Sequence, residues 1–160
     1  MSEVSELTLE RKEQIMKRFV AIDTGKFATK VACYDEKKGA TIKFSIRTAH
    51  CDGDFRDDAV EDNTVIIQQA DGEVYKVGNG ARGIGAEMTT DKRLDVHRIC
   101  AMTALTSVAN KKEEDEFYVA VLLPAKDWAN VSKREDFREF ILPKGKVSAN
   151  AMLSILYLLS

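Results

Sequence analysis

The chain has 160 residues, 44% apolar and 31% charged, with a formal net charge of −2. That is enough for one domain with a real core and too little for two large ones. The near-neutral balance gives no electrostatic footprint for nucleic acid or membrane, so direct contact with either is not expected, and no apolar stretch approaches the ~20 residues of a membrane-spanning helix.

Met1 to Lys17 is highly charged and has no apolar h-region, so it does not read as a signal peptide. Within it, Ser5 to Arg18 carries Leu7, Ile15 and Met16 among charges and is predicted as a short polar helix ahead of the core. Phe19 to Thr24 (FVAIDT) is an apolar run that fits a buried strand. Thr29 to Tyr34 alternates, with Val31 and Cys33 on one face. After the polar turn Asp35 to Gly39, Thr41 to Thr48 alternates again through Ile42, Phe44 and Ile46. Three such strands joined by short loops make an antiparallel meander.

His50 to Asp62 is acidic and reads as a solvated loop. Asn63 to Ala70 and Glu73 to Val77 flank Asp71-Gly72, a strong hairpin signal. Gly78 to Gly85 (GNGARGIG) is predicted to be irregular. Arg93 to Asn110 is the clearest helix. Leu94, His97, Ala101, Ala104, Leu105 and Val108 share a face, which Ile99 and Met102 widen. Lys111 to Glu116 is a charged loop. Phe117 to Leu123 is apolar without alternation, as in a strand buried on both faces. Pro124 ends it. Trp128 to Ile141 is predicted helical, with Phe137, Phe140 and Ile141 on one side and Trp128 half-buried beside it. This order implies an α/β layer fold: a mixed sheet, with an antiparallel three-strand meander plus a parallel strand, and packed helices.

Cys33, Cys51 and Cys100 form an odd set without CxxC spacing. Reduced thiols in a cytoplasmic protein are the simplest reading, with Cys33 and Cys100 in the core. His50-Cys51 near Asp52 and Asp54 fits no standard metal spacing. His97 lies on the buried stripe and reads as a hydrogen-bonded core histidine in preference to a ligand or base. No Ser-His-Asp or Cys-His arrangement is evident.

The chemical signal lies in FVAIDTGKFATKVACY. Asp23 ends a strand and can hold Mg²⁺, directly or through water. Gly25 lets the turn approach a phosphate. Successive backbone N–H groups in such a turn make an anion-binding concavity. Lys30 adds a fixed positive charge. On spacing alone, a plain structural hairpin is an equal alternative.

Ile22, Asp23, Gly25 and Lys30 resemble the first phosphate motif of the actin, Hsp70 and sugar-kinase superfamily, most closely that of bacterial actin-like plasmid-segregation proteins of the ParM/StbA type. The resemblance continues through Val77-Gly78-Asn79, Val96-His97, the strand Val119 to Pro124 and the helix Lys133 to Phe140, so that it covers roughly Phe19 to Val147. It implies an RNase H-like actin subdomain that binds ATP and Mg²⁺ in a cleft. It also implies self-association into filaments and a DNA-binding adaptor protein as partner. Asp23 would be the metal-side carboxylate, holding Mg²⁺ through water. Thr24, Gly25 and Lys26 would supply phosphate contacts, and Lys30 would bridge the β- and γ-phosphates. Lys26 and Phe27 depart from the small or hydroxylic residues frequent there; Phe27 makes the turn tip bulky and is a candidate for facing a neighbouring subunit.

The second D-x-G-x-T loop of that superfamily, its water-positioning Glu or Gln and its adenosine loop do not follow. The chain closes on SANAMLSILYLLS, where Ala151, Met152, Ile155, Leu156 and Leu159 would form a helical stripe. The expected organisation is a charged extension (1–17), an actin-like domain (18–147) and an apolar tail (148–160) left by truncation or frameshift. No catalytic residue is assignable, hydrolysis by this chain alone should be negligible, and its nucleotide affinity should be weak or absent. Two other readings stay open: a fragment of a small-molecule kinase of the same superfamily, and a non-enzymatic interaction module that keeps the fold.

Overall fold

The computed structural model describes residues 16–54, 61–69, 72–85, 92–109, 115–141 and 150–152. Two sheets share one helix. The first sheet holds β1 (Met16–Thr24), β2 (Ala28–Asp35), β3 (Ala40–Arg47) and β8 (Asp115–Val121) in the order β3-β2-β1-β8. The expected meander is present: β1 with β2 and β2 with β3 pair antiparallel. The turn between β2 and β3 is closed by the Lys38 N–H donating to Asp35 Oδ1 at 3.2 Å, and Gly39 adopts a φ of 61° there. β8 joins β1 in parallel, from Met16 beside Asp115 to Ile22 beside Val121. The sheet is therefore mixed, with its parallel strand at one edge.

The second sheet runs β7-β4-β6-β5-β9. Its strands are β4 (Ala49–Asp52), β5 (Thr64–Gln68), β6 (Val74–Gly78), β7 (Ile84–Gly85) and β9 (Asn150–Met152). β5 and β6 form the expected hairpin, closed by Gly72 N–H to Gln69 O at 3.0 Å, and Gly72 takes a φ of 94°. Gly78 ends β6 at a φ of 103°, and a Cβ there would stand 2.1 Å from the Asn63 carbonyl oxygen. The Val77-Gly78 pair thus has a steric cause.

Helix α1 (Asp95–Val108) lies between the sheets. Its Ala101, Ala104 and Val108 pack with Val20, Ile22, Val31 and Cys33 of the first sheet. Its Val96, Ile99 and Cys100 pack with Ile46, Val65, Ile67 and Val77, mostly from the second. Helix α2 (Ala125–Trp128) begins after Pro124, and α3 (Val131–Ile141) adds Phe137 and Ile141 to the first core. Phe137 and Ile141 are buried and Phe140 is partly buried against the core, as the periodicity implied.

Several expectations are corrected. Met16–Arg18 are strand, not helix, because they extend β1 along Asp115–Phe117; residues 1–15, with the rest of the predicted polar helix, lie outside the described residues. His50–Asp52 belong to β4, held by Val77, Lys76 and Tyr75 of β6, where a loop was expected. Ile84–Gly85 pair with Ala49 and His50, where only irregular chain was expected. β8 is not buried on both faces: Phe117, Val119 and Val121 pack inward, while Tyr118 and Leu122 are exposed. The predicted last helix is two helices separated at Ala129-Asn130, and Trp128 is 58% exposed, with the Arg134 guanidinium 5.0 Å from its ring centroid. Of the predicted apolar stripe at the chain's end, Ala151 and Met152 lie in β9 beside Ile67 and Ile66. Residues 153–160 lie outside the described residues.

Candidate functional site

The β1–β2 hairpin sets the geometry. Side chains alternate across its strands. On β1, Val20, Ile22 and Thr24 are buried under the helices, while Phe19, Ala21 and Asp23 face the other way. Lys30 is the direct cross-strand partner of Asp23, so both lie on the open face at the end of the hairpin. Lys26 is half-buried in the connecting turn, and Phe27 at its tip is exposed. Asp23, Lys26 and Lys30 are thus gathered by one turn.

That turn is tight. The Gly25 N–H donates to Asp23 O at 3.0 Å and to Ala28 O at 3.1 Å. A Cβ at Gly25 would lie 2.6 Å from the Ala28 carbonyl oxygen, so glycine is required by close approach. The Phe27 carbonyl accepts from the Thr48 N–H at 2.9 Å, which ties the turn to the end of β3.

Thr24 is placed differently from Asp23. It is fully buried on the helix side, and its Oγ1 has no hydrogen-bond partner among the described residues. Around the same end of the sheet, Thr29 and Thr48 share a hydrogen bond between hydroxyls at 3.0 Å. The Cys100 thiol bonds with Thr29 and the Ala49 backbone, but burial dominates and pushes its pKa up to about 12. A polar layer thus supports the turn from beneath.

One charged residue was missed in the sequence. Lys92 precedes α1 by three positions and reaches back to the hairpin. Its Nζ donates to the Thr24 carbonyl oxygen and stands 3.8 Å from Asp23 Oδ1. Its side chain is 16% exposed against 37% for Asp23. Burial pushes the ammonium below its ordinary pKa, and the Asp23 charge opposes that shift. No spacing rule links positions 23 and 92; only the packing of α1 on both sheets brings them together.

A carboxylate, two lysines and a turn that excludes a Cβ fit a polyphosphate accompanied by a divalent cation. Among the described residues no three His, Cys, Asp or Glu side chains converge as a metal cage. A cation at Asp23 would therefore take other ligands from phosphate and water, as Mg²⁺ commonly does. No helix among the described residues is long and apolar enough to cross a membrane.

With a mixed sheet, a shared helix and this hairpin in place, the class is that of actin-like folds. The chain belongs to the family of actin-like proteins, N-terminal domain, whose description matches residues 21–154. Similar solved structures include an Alp12 filament, 22% identical with a TM-score of 0.59, covering 83% of this chain and 41% of its own. An apo pSK41 ParM protein is 15% identical with a TM-score of 0.60, covering 84% and 44%. A 15-stranded ParM filament from Clostridium botulinum is 13% identical with a TM-score of 0.62, covering 86% and 42%. At these identities the likeness establishes the fold, and this chain spans less than half the length of each. No curated protein matches it in sequence.

Proposed function

We propose that this chain is the N-terminal, ATP- and Mg²⁺-binding part of a ParM-type actin homologue. The parent protein is a cytoplasmic filament-forming ATPase that segregates plasmid DNA through a DNA-binding adaptor. The observation that carries this reading is the hairpin end, where Asp23 and Lys30 are cross-strand partners beside a turn that admits only glycine at position 25. Family membership supports it, as do the filament assemblies among similar structures, one of them an AlfA filament bound to AMPPNP.

In this reading Lys30 and Lys26 attract and orient the phosphates, and Asp23 holds a water of the cation's shell. Thr24 and Gly25 shape the turn. When bound, Mg²⁺ offsets phosphate charge. Phosphoryl transfer needs groups from several parts of a site at once. Hydrolysis is accordingly assigned to the parent and not to these 160 residues.

The test is titration of the chain with ATP and Mg²⁺, followed by amide NMR shifts in the Gly25–Ala28 turn. Saturable shifts are expected, weakened at least ~10-fold by Lys30→Ala, the scale of one lost charge-assisted contact. No saturation, or equal affinity in the variant, overturns the assignment of nucleotide binding to this hairpin in the chain. A second reading, a non-enzymatic interaction module, draws on the exposed Phe19, Tyr34, Tyr118 and Leu122. Association of the chain that is indifferent to nucleotide would favour it.

A further inference from the structure

Lys92 brings a charge to the hairpin from a distant part of the chain, and its surroundings are unusual for a lysine. Long, solvated lysines gain little from surface ion pairs. Lys92 instead gives up most of its exposure to lie against two oxygens at the end of β1, the Thr24 carbonyl and Asp23 Oδ1. Asp23 therefore has a protein cation beside it before any ligand arrives. Lys30, its cross-strand partner, is exposed on the open face and free to turn to a phosphate.

We propose that Lys92 is a positioning residue for this site: its ammonium holds Asp23 and the end of β1, and competes with a divalent cation for the Asp23 carboxylate. This rests on the reading of the hairpin as a metal–nucleotide site. The physical consequence is a change in metal dependence. With Lys92 present, the negative charge of Asp23 is offset even without metal, so a polyphosphate meets less repulsion. Without Lys92, the bare carboxylate repels the polyphosphate until a divalent cation bridges them. Removing the ammonium should therefore weaken metal-free binding while sparing, or strengthening, binding with metal. Loss of a merely structural strut would weaken both alike.

Tripolyphosphate is the probe, since it needs no adenosine pocket. The full chain, Lys92→Met, Lys92→Arg and Asp23→Asn are titrated with and without Mg²⁺, with amide shifts of Gly25–Ala28 giving Kd. The ratio of metal-free to Mg²⁺ Kd should rise at least ~5-fold in Lys92→Met, a shift of about 1 kcal/mol by the conversion RT ln 5. It should return towards the value of the unaltered chain in Lys92→Arg, and Mg²⁺ dependence should shrink in Asp23→Asn. An unchanged ratio in folded Lys92→Met overturns the proposal. If that variant does not fold, reductive methylation of the unaltered chain decides: Lys92 should be protected relative to Lys30, and Mg²⁺ with tripolyphosphate should raise its reactivity. Unchanged reactivity while ligand is bound also overturns it. Absence of any saturable shift in the unaltered chain instead overturns the polyphosphate reading itself, and this proposal with it.

Discussion

On one face of the first sheet, Val20, Ile22, Val31 and Cys33 lie beneath α1 and α3. On the other face the same strands present Phe19, Tyr34 and Tyr118 in one row. Ala32, Ala21 and Ala120 follow in the next, then Lys30 and Asp23. The covered face carries the fold and the open face carries the charges. Because strand alternation has a period of two, a slip of one residue would exchange them. The core therefore fixes where Asp23 and Lys30 point. The Asp23–Lys30 pair needs no packing of its own to be aligned, because the buried residues on either side of each member hold its strand in register.

The contrast can be broken most directly by paired truncations. Ile22 is fully buried, and Ile22→Ala should cost about 2–5 kcal/mol in urea unfolding. Phe19, exposed and stacked on Tyr118 at a ring-centroid distance of 5.2 Å, should cost only about 1 kcal/mol when replaced by Ala. Equal losses would mean that the open face contributes to the core as much as the covered one.

Thiol chemistry sharpens the same division at smaller scale. Cys33 and Cys100 are buried, and Cys51 on β4 is half-buried. With its thiol pKa pushed up to about 12 by burial, Cys100 should react only through opening of the structure. Under native conditions a soluble disulfide reagent should label Cys51 at least ~10-fold faster than Cys100, read by mass spectrometry of peptides. Labelling of Cys100 at the rate of Cys51 would place α1 outside the core.

The legible parts of this molecule are those determined locally. The β1–β2–β3 meander follows from alternation and from turn residues such as Asp35 and Gly39. The Asp23–Lys30 pairing follows from the short connection between the strands. What was not legible depends on distant partners. Met16–Arg18 look helical among charges, yet β8 turns them into strand. Phe117–Leu123 looks doubly buried, yet burial depends on what covers a face, and Tyr118 and Leu122 remain open. Lys92 is one lysine among many in the sequence; its meaning arises from the path of α1 between two sheets.

The smallest expected effect lies on the covered side, where α1 meets the second sheet. His50 is buried on β4 with its ring edge-on to Tyr75 at 5.4 Å, and its Nδ1 finds no hydrogen-bond partner among the described residues. Burial lowers its pKa below 6.5; the charges of Asp95 and Asp52 oppose this without cancelling it. The folded chain therefore takes up a proton less readily than the unfolded chain. The stability attached to neutral His50 is complete above about pH 6.5, falls as pH drops from there, and levels off below the folded pKa, with a slope of at most about 1.4 kcal/mol per pH unit. Urea midpoints at pH 7.5, 6.5 and 5.5 for the chain and for His50→Gln separate this from carboxylate titration, which both share. The difference between the two should narrow or change sign on acidification, because only the unaltered chain loses the contribution of a neutral ring. A difference constant across that range would show that the ring is protonated as readily in the fold as out of it, and that the covered side admits water at β4.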